Sequence, residues 1–304
     1  MKWLSLTLCL FITLSCSLFP KHKRPRPTHK KANANQFAPI RKKIALLTFF
    51  NESPYGGEDI AISASEEMRL ELSRTGEFVL DHTGEGIFGS SKEIYSGGGV
   101  KLVQLNKKAK LSGLNFVLFG RIKEARVRTK KDEIGVVREN KSFAEVAIEM
   151  RVFDVMANKE IFNETFEANV DDSQYKFFKA DEEEGLSARQ ELLRYSVRVA
   201  VRKSIPRVME LGTKLDWTGR VAKIVGSKIY LNAGKDSGLN VGDILRVMTE
   251  GREIFDPETG ALIGMSKGEV KGTLEIIDYF GPDGAIAILH SGGSVTEGDF
   301  IQLY

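Results

Sequence analysis

Histidines and runs of carboxylates are the residue types in this chain that could hold a metal or carry acid–base chemistry. No two histidines have the spacing of a metal-binding pair. The carboxylate runs fall on stretches predicted to face solvent, whereas a general acid needs a desolvated cleft. The residues concerned are His22, His29, His82 and His290, with Glu66-Glu67 and Glu182-Glu183-Glu184. We interpret them as surface features and predict no catalytic residue, no metal and no cofactor.

A cluster of three glycines, Gly97-Gly98-Gly99, is the other pattern that could bind a ligand or carry chemistry. It precedes a predicted helix over residues 100–111, and backbone N–H groups at a helix N-terminus can bind an anion. The cluster lacks the Gly-Lys-Ser/Thr ending of a phosphate loop and the spaced glycines of a dinucleotide fingerprint. We interpret residues 84–99 as a loop, and a phosphate-binding or hydrolytic site there is a less favoured alternative. Gly56-Gly57, ahead of the first predicted helix, is a weaker case.

Both cysteines, Cys9 and Cys16, lie in an N-terminal segment with the layout of a secretory signal. Lys2 precedes an apolar stretch over residues 4–14, which is too short to span a bilayer comfortably. Small residues flank Cys16, which stands where a bacterial lipoprotein signal places its lipidated cysteine. We predict a signal peptide at residues 1–16, export, and lipidation of Cys16, with ordinary cleavage or a retained anchor as the alternatives. Disulfide and thiol chemistry are then excluded from the mature domains.

A basic, proline-containing stretch follows at residues 17–43. Ten of the 44 Lys and Arg residues precede residue 44 and no acid does, so the net charge of +3 conceals an acidic body. Such a composition favours an extended tether that can reach away from a membrane. Nucleic-acid binding is not predicted, because it would require a basic face on a folded domain.

After residue 215 the chain repeats one phrase, a glycine and an aspartate followed by an apolar run. The glycine and aspartate stand at the end of residues 238–243 and again at the end of residues 295–299. Glycine reaches positive φ without steric cost, and the aspartate can accept hydrogen bonds from local backbone N–H groups. No calcium-loop pattern accompanies the phrase, so we interpret both copies as turns. Strands are predicted at residues 219–225, 229–232, 244–248, 269–277, 285–289 and 300–303. Short strands with regular turn signals predict a small closed or nearly closed β-barrel.

Five motifs in this region resemble the C-terminal domain of the FlgT family of flagellar assembly proteins. They are Gly219-Arg220-Val221-Ala222-Lys223-Ile224-Val225, Ile229-Tyr230-Leu231-Asn232-Ala233-Gly234, the phrase at 238–243, Ile254-Phe255-Asp256-Pro257-Glu258-Thr259-Gly260, and Gly298-Asp299. The FlgT family is secreted to the periplasm and forms a ring around the flagellar basal body. The resemblance therefore implies a scaffold and no enzyme activity.

Residues 44–212 alternate strand-like and helical patterns, which argues for an α/β layer domain. Strands are predicted at residues 44–50, 78–80 and 115–128, a hairpin at 142–155 and 160–170, and helices at 59–74, 100–111 and 186–211. In the first helix, apolar residues recur at helical spacing at Ala61, Ala64, Met68 and Leu72. These patterns place one apolar face on each main helix.

The same domain resembles the CsgG family of secretion proteins and the middle domain of the FlgT family. Three strings carry the resemblance: Lys43-Ile44-Ala45-Leu46-Leu47-Thr48-Phe49-Phe50-Asn51, Ser112-Gly113-Leu114-Asn115-Phe116-Val117-Leu118-Phe119-Gly120-Arg121-Ile122, and Met150-Arg151-Val152-Phe153-Asp154-Val155. CsgG-like pores need amphipathic hairpins with an uncharged lipid face. Residues 126–133 and 174–184, where such hairpins would fall, are rich in charges. Pore formation is therefore disfavoured.

The sequence thus predicts an α+β protein, with a CsgG/TolB-N-like α/β layer domain at residues 44–212 and a FlgT C-terminal-like β-barrel at residues 213–304. We expect a non-catalytic periplasmic assembly protein, tethered to the outer membrane by the lipid on Cys16. Its expected partners are further copies of itself or ring proteins of the flagellar basal body, with no small-molecule substrate. The expected contacts are strand edges and the apolar faces of the helices at 59–74 and 186–211, although packing in the core is the commoner use of such faces. A CsgG-like channel component for extracellular fibres is the alternative, followed by a ligand-binding or hydrolytic envelope protein.

Overall fold

A mixed β-sheet flanked by helices forms the first part of the structure, and a closed β-barrel forms the last part. The computed structural model describes residues 40–81, 87–131, 140–171, 173 and 186–304. The sheet strands are β1 (Lys42–Leu46), β2 (Phe50–Asn51), β3 (Phe78–Asp81), β4 (Phe116–Lys131), β5 (Asn140–Asp154) and β6 (Lys159–Asp171). The helices are α1 (Gly57–Thr75), α2 (Ser91–Ser112) and α3 (Leu186–Lys214). The α+β prediction is confirmed.

The sheet has the order β3-β1-β4-β5-β6, and β2 pairs separately with β4. Strand β1 runs parallel to β3 and β4, whereas β4, β5 and β6 are antiparallel. Parallel neighbours need a crossover, and α1 and α2 supply these connections between β2 and β3 and between β3 and β4. Asn158, with φ 52°, makes the tight turn from β5 into β6 where the sequence predicted it.

Helices α1 and α3 cover one face of the sheet. The apolar residues predicted on α1 are fully buried, and those of α3 join them in a core with the sheet. Burying a Leu or Met side chain contributes about 1.5–3 kcal/mol to stability, so these helix faces stabilise the core by packing on the sheet. The expectation that these helix faces serve as contact surfaces is therefore wrong.

Helix α2 covers the other face and starts earlier than predicted. It runs from Ser91 through Gly97-Gly98-Gly99, although each glycine lowers helix stability by about 1 kcal/mol relative to alanine. Its first turn is held at Ser91, which is fully buried and whose hydroxyl accepts a hydrogen bond from the Gly120 N–H at 3.2 Å. Tertiary packing thus overrides local propensity, and the loop predicted over residues 84–99 is wrong from Ser91 onward.

The two charged segments that argued against a pore are described only in part. Residues 126–131 form the end of β4, where Arg126 bonds to Glu145 and the Arg128 Nε lies 3.7 Å from a Glu145 carboxylate oxygen. Residues 132–133 and 174–184 lie outside the described residues. None of the helices in the described part of the chain is long and apolar enough to cross a membrane.

The barrel has six strands, as the sequence predicted. They are β7 (Gly219–Val225), β8 (Lys228–Leu231), β9 (Ile244–Met248), β12 (Val270–Phe280), β13 (Gly284–Gly292) and β14 (Phe300–Leu303). The barrel closes in the order β12-β13-β8-β7-β14-β9. A separate hairpin of β10 (Glu253–Phe255) and β11 (Leu262–Met265) leaves the barrel between β9 and β12. The barrel interior is a second core of Val, Ile, Leu and Ala side chains.

The barrel is built from two equivalent halves, β7-β8-β9 and β12-β13-β14. The third strands of the two halves, β9 and β14, pair with each other, and so do the second strands, β8 and β13. Each first strand pairs with the third strand of the other half: β7 with β14, and β12 with β9. Gly242 and Gly298 have φ near +90° in the two glycine–aspartate corners. Their N–H groups donate to Ile276 and Val221 carbonyls at 2.8 Å, each on the first strand of the opposite half. The repeated phrase therefore forms two matched corners that join the halves.

Candidate functional site

The structure does not bring the residues predicted from chemistry together. Cys16, His82 and Glu182-Glu183-Glu184 lie outside the described residues. His290 is exposed, with its Nδ1 3.8 Å from a Glu275 carboxylate oxygen. Glu67 is buried in α1 and accepts a hydrogen bond from the Arg202 Nε at 2.6 Å. In the described ranges no three His, Cys, Asp or Glu side chains could hold a metal.

The glycine motifs also have geometric roles. Gly97-Gly98-Gly99 lies inside α2, where backbone N–H groups bond to carbonyls of the preceding turn and are not free for an anion. Gly56 precedes α1 with φ 81°, and a Cβ atom there would lie 2.7 Å from the Ile60 Cδ1. The alternative of a phosphate site at Gly97 is therefore wrong, and Gly56 is required for a tight helix entry.

A groove of about 620 Å³ lies where the sheet meets the barrel. Its walls come from the end of α3, the segment 215–218, strands β9 and β14 and the base of the β10–β11 hairpin. Apolar lining is supplied by Met156, Leu215, Trp217, Met248, Met265, Phe300 and Leu303. Charged lining is supplied by Lys110, Lys214, Arg246 and Lys267, and by Asp154, Asp216 and Glu250. The lining is thus a mixture of apolar and charged side chains.

Asn115 fixes one wall of the groove. Its side chain is buried, its Nδ2 donates to the Thr218 carbonyl and hydroxyl oxygens at 3.0 Å each, and its Oδ1 accepts from the Lys43 N–H at 2.8 Å. One side chain therefore ties the start of β4 to β1 and to the residue before β7. Because every one of these polar groups is paired, the junction of sheet and barrel is well defined.

Close approach and ion pairs complete the junction. Gly113 has φ 68°, and a Cβ atom there would lie 1.7 Å from the Asn232 Nδ2 of the barrel. The Lys110 ammonium lies 2.5 Å from a Glu250 carboxylate oxygen, across the same junction. The Lys43 ammonium lies 3.8 Å from the Asp283 carboxylate.

The carboxylates of the groove are held in structural roles. Burial raises the pKa of Asp154, while its Oδ1 accepts hydrogen bonds from the Met156 and Ala157 N–H groups at 2.9 Å. Glu250 is bound by Lys110, and the Arg246 guanidinium donates to the Leu303 carbonyl. Asp154, Glu250 and Arg246 therefore stabilise the walls of the groove.

A second cluster, at Tyr95, was missed from sequence because Tyr95 falls in the stretch interpreted as a loop. Two guanidiniums lie close to its ring, with Arg121 Cζ 4.8 Å and Arg151 Cζ 4.5 Å from the ring centroid, and its hydroxyl donates to Glu149 at 3.1 Å. Burial and the Glu149 charge raise the pKa of Tyr95 well above its ordinary value. Burial also raises the pKa of Glu149, but hydrogen bonds from both guanidiniums outweigh it and leave that pKa lowered. The cluster fastens α2 to the sheet.

No protein-family model matches the chain, and no curated protein matches it. Solved structures similar to it include hypothetical protein CT253 from Chlamydia trachomatis, at 17% identity over 57% of this chain and 99% of that one, with a TM-score of 0.38. Lipoprotein GNA1162 from Neisseria meningitidis is 13% identical over 56% of this chain and 99% of its own, with a TM-score of 0.30. A minor lipoprotein from Acinetobacter baumannii is 13% identical over 58% and 95%, with a TM-score of 0.27. The structures similar to this chain thus include bacterial lipoproteins.

Proposed function

We propose that the protein is a non-catalytic assembly protein of the bacterial cell envelope, similar in role to the FlgT family. The observation that carries this proposal is the six-stranded barrel with two glycine–aspartate corners, attached to an α/β sheet. It is the arrangement that the resemblance to FlgT implies for this sequence. The predicted N-terminal signal and the predicted lipidation of Cys16 support a position on the periplasmic face of the outer membrane.

A role without catalysis is supported by how the polar residues are used. The buried carboxylate Glu149 is bound by Arg121 and Arg151, and the buried Asp299 is bound by Lys271. Such pairs stabilise an arrangement of elements and commit these two carboxylates to structural partners. The protein would then act by presenting surfaces to other copies or to ring proteins of the flagellar basal body.

Cell fractionation followed by cross-linking in intact cells tests this function. We expect the protein in the outer-membrane fraction and in cross-linked species that contain several copies or a basal-body ring protein. Cys16→Ser should release it from the membrane fraction, whereas Cys9→Ser, the matched control, should not. A cytoplasmic protein recovered without any cross-linked partner would contradict the proposal.

Reconstitution into liposomes separates this function from the secretion-channel alternative. An assembly protein that only attaches to the membrane should leave ion conductance at the level of empty liposomes. Stable conductance steps would instead support a CsgG-like channel and overturn the scaffold assignment.

A further inference from the structure

The β10–β11 hairpin is an exposed two-stranded sheet with large apolar side chains. Ile254, Phe255 and Ile263 are 47%, 51% and 62% exposed, and all three residues of β10 are exposed. An isolated two-stranded hairpin is marginally stable in water, and it gains stability when another strand or surface covers it. Exposed apolar residues grouped in this way mark an interaction site.

One edge of β10 is open to another strand. Arg252 and Asp256 direct their backbone groups toward β11, since the Arg252 carbonyl accepts from the Ser266 N–H and the Asp256 N–H donates to the Ala261 carbonyl, both at 2.8 Å. Backbone groups alternate in direction along a strand, so those of Glu253 and Phe255 point to the free edge. Among the described residues β10 pairs only with β11.

We propose that two copies of the chain join through this edge, with their β10 strands antiparallel and Ile254 at the twofold axis. In this register Glu253 exchanges backbone hydrogen bonds with Phe255 of the second copy. Ile254 faces Ile254 in a non-hydrogen-bonded pair, where side chains approach most closely. Arg252 faces Asp256 of the second copy on both sides of that contact.

Charge complementarity in this register identifies the occupant as a second copy. Arg252 has no ion pair with any residue that the structure describes. The Asp256 Oδ1 accepts the Glu258 and Thr259 N–H groups at 2.9 and 2.8 Å, and no described cation pairs with the carboxylate. Opposite charges across an antiparallel pair contribute about 0.2–1 kcal/mol each. The strand edge is therefore self-complementary in shape, hydrogen bonding and charge.

The contact is small compared with the ~1,200 Å² that stable interfaces bury, so it would be one of several links in a larger assembly. The inference deepens the proposed function and rests on it in taking self-association as the mode of action. It also explains why an exposed hairpin is attached to a closed barrel, which by itself offers no free strand edge.

Cysteine cross-linking of the purified full-length chain tests the register. Ile254→Cys should give a disulfide-linked dimer under mild oxidation, because a non-hydrogen-bonded antiparallel pair brings the Cα atoms to about 4.5 Å, within disulfide range. Ile263→Cys is the matched control, since it is a more exposed isoleucine on the other strand. The parent chain measures the background from Cys9 and Cys16. We expect roughly tenfold more dimer from Ile254→Cys than from Ile263→Cys, as the Cα separation of the facing pair dictates.

A charge reversal tests the ion pair separately. In the Ile254→Cys chain, Arg252→Glu should reduce dimer formation severalfold because it places like charges opposite each other. Lys228→Glu, an exposed lysine elsewhere on the barrel, makes the same charge change and should have no effect. Equal yields from Ile254→Cys and Ile263→Cys would overturn this inference while leaving the envelope function standing. A specific cross-link at Ile254→Cys in a protein that is absent from the envelope would instead support the dimer contact and overturn the envelope function.

Discussion

Replacing Asp299 by alanine is expected to destabilise the barrel more than the same change at Asp243, although the two occupy equivalent corners. The Asp243 Oδ2 accepts one hydrogen bond, from the Asn240 N–H at 2.7 Å. Asp299 accepts the equivalent bond from the Thr296 N–H at 2.7 Å, and also the Thr296 hydroxyl at 2.9 Å and the Lys271 ammonium at 2.7 Å. The comparison therefore measures what these two extra bonds contribute in an unchanged backbone setting.

The magnitude follows from burial. Loss of one charge-assisted bond to a backbone N–H should cost about 1–2 kcal/mol at Asp243. The side chains of Asp299 and Lys271 are 9% and 20% exposed, and breaking a buried pair costs about 3–5 kcal/mol because one charge is left uncompensated. Water can reach Lys271, so about 3–4 kcal/mol is expected for Asp299→Ala. Adding Lys271→Met to Asp299→Ala should restore part of this loss by removing the unpaired cation.

Guanidinium denaturation followed by tryptophan fluorescence measures the difference. Trp217 is buried beside the barrel, and the other tryptophan, Trp3, lies in the predicted signal peptide. The reasoning is refuted if the two alanine variants differ by less than about 0.5 kcal/mol, the usual error of additivity for independent sites. A larger loss at Asp243 than at Asp299 would refute it as well.

Three further predictions concern the junction and the sheet. Gly113→Ala should lower the free energy of unfolding by at least about 2 kcal/mol, because it adds a steric clash to the strain of a left-handed backbone. Gly226→Ala, at φ 62° in open space, should cost only that strain, about 1 kcal/mol. Thermal unfolding compares the two variants, and equal losses of stability would exclude the clash. Asn115→Ala should cost about 2–3 kcal/mol by leaving buried polar groups unpaired, against less than about 0.5 kcal/mol for the exposed Asn163→Ala in the same assay. Since the pKa of Glu149 is lowered in the folded state, its contribution is present at neutral pH and lost as the pH falls through that lowered value. Glu149→Gln should therefore lower the urea midpoint at pH 7 and flatten its decline in acid, and an unchanged acid slope would contradict this.

The barrel could be predicted from sequence because its signals are local. A glycine at positive φ, an aspartate that accepts a hydrogen bond from the N–H three residues before it, and the apolar run after it are contiguous in the sequence. All six predicted barrel strands are present, with ends that differ by a few residues. The apolar spacing of α1 was equally informative, because helical periodicity and burial coincide there.

The groove and the Tyr95 cluster could not be predicted, since their residues meet only through tertiary structure. Asn115 and Thr218 are far apart along the chain, and neither belongs to a motif that would indicate the other. Tyr95 was hidden by the three glycines that follow it, which lower helix propensity. The contacts of Tyr95 with Arg121 and Arg151 on the sheet hold the first turns of α2 in place despite those glycines.

The position of the β10–β11 hairpin follows from how the barrel is divided. In chain order the hairpin lies between β9 and β12, which is the point where the first half of the barrel ends and the second begins. An addition at that point leaves the barrel pairings intact. Inside the halves β7 still pairs with β8 and β12 with β13, and between the halves β9 still pairs with β12 and β14. Sequence alone located the turn at residues 256–260 but could not show that its flanking strands form a sheet of their own, since pairing depends on which neighbours the closed barrel leaves available. The hairpin thus supplies a free strand edge, which the closed barrel does not offer.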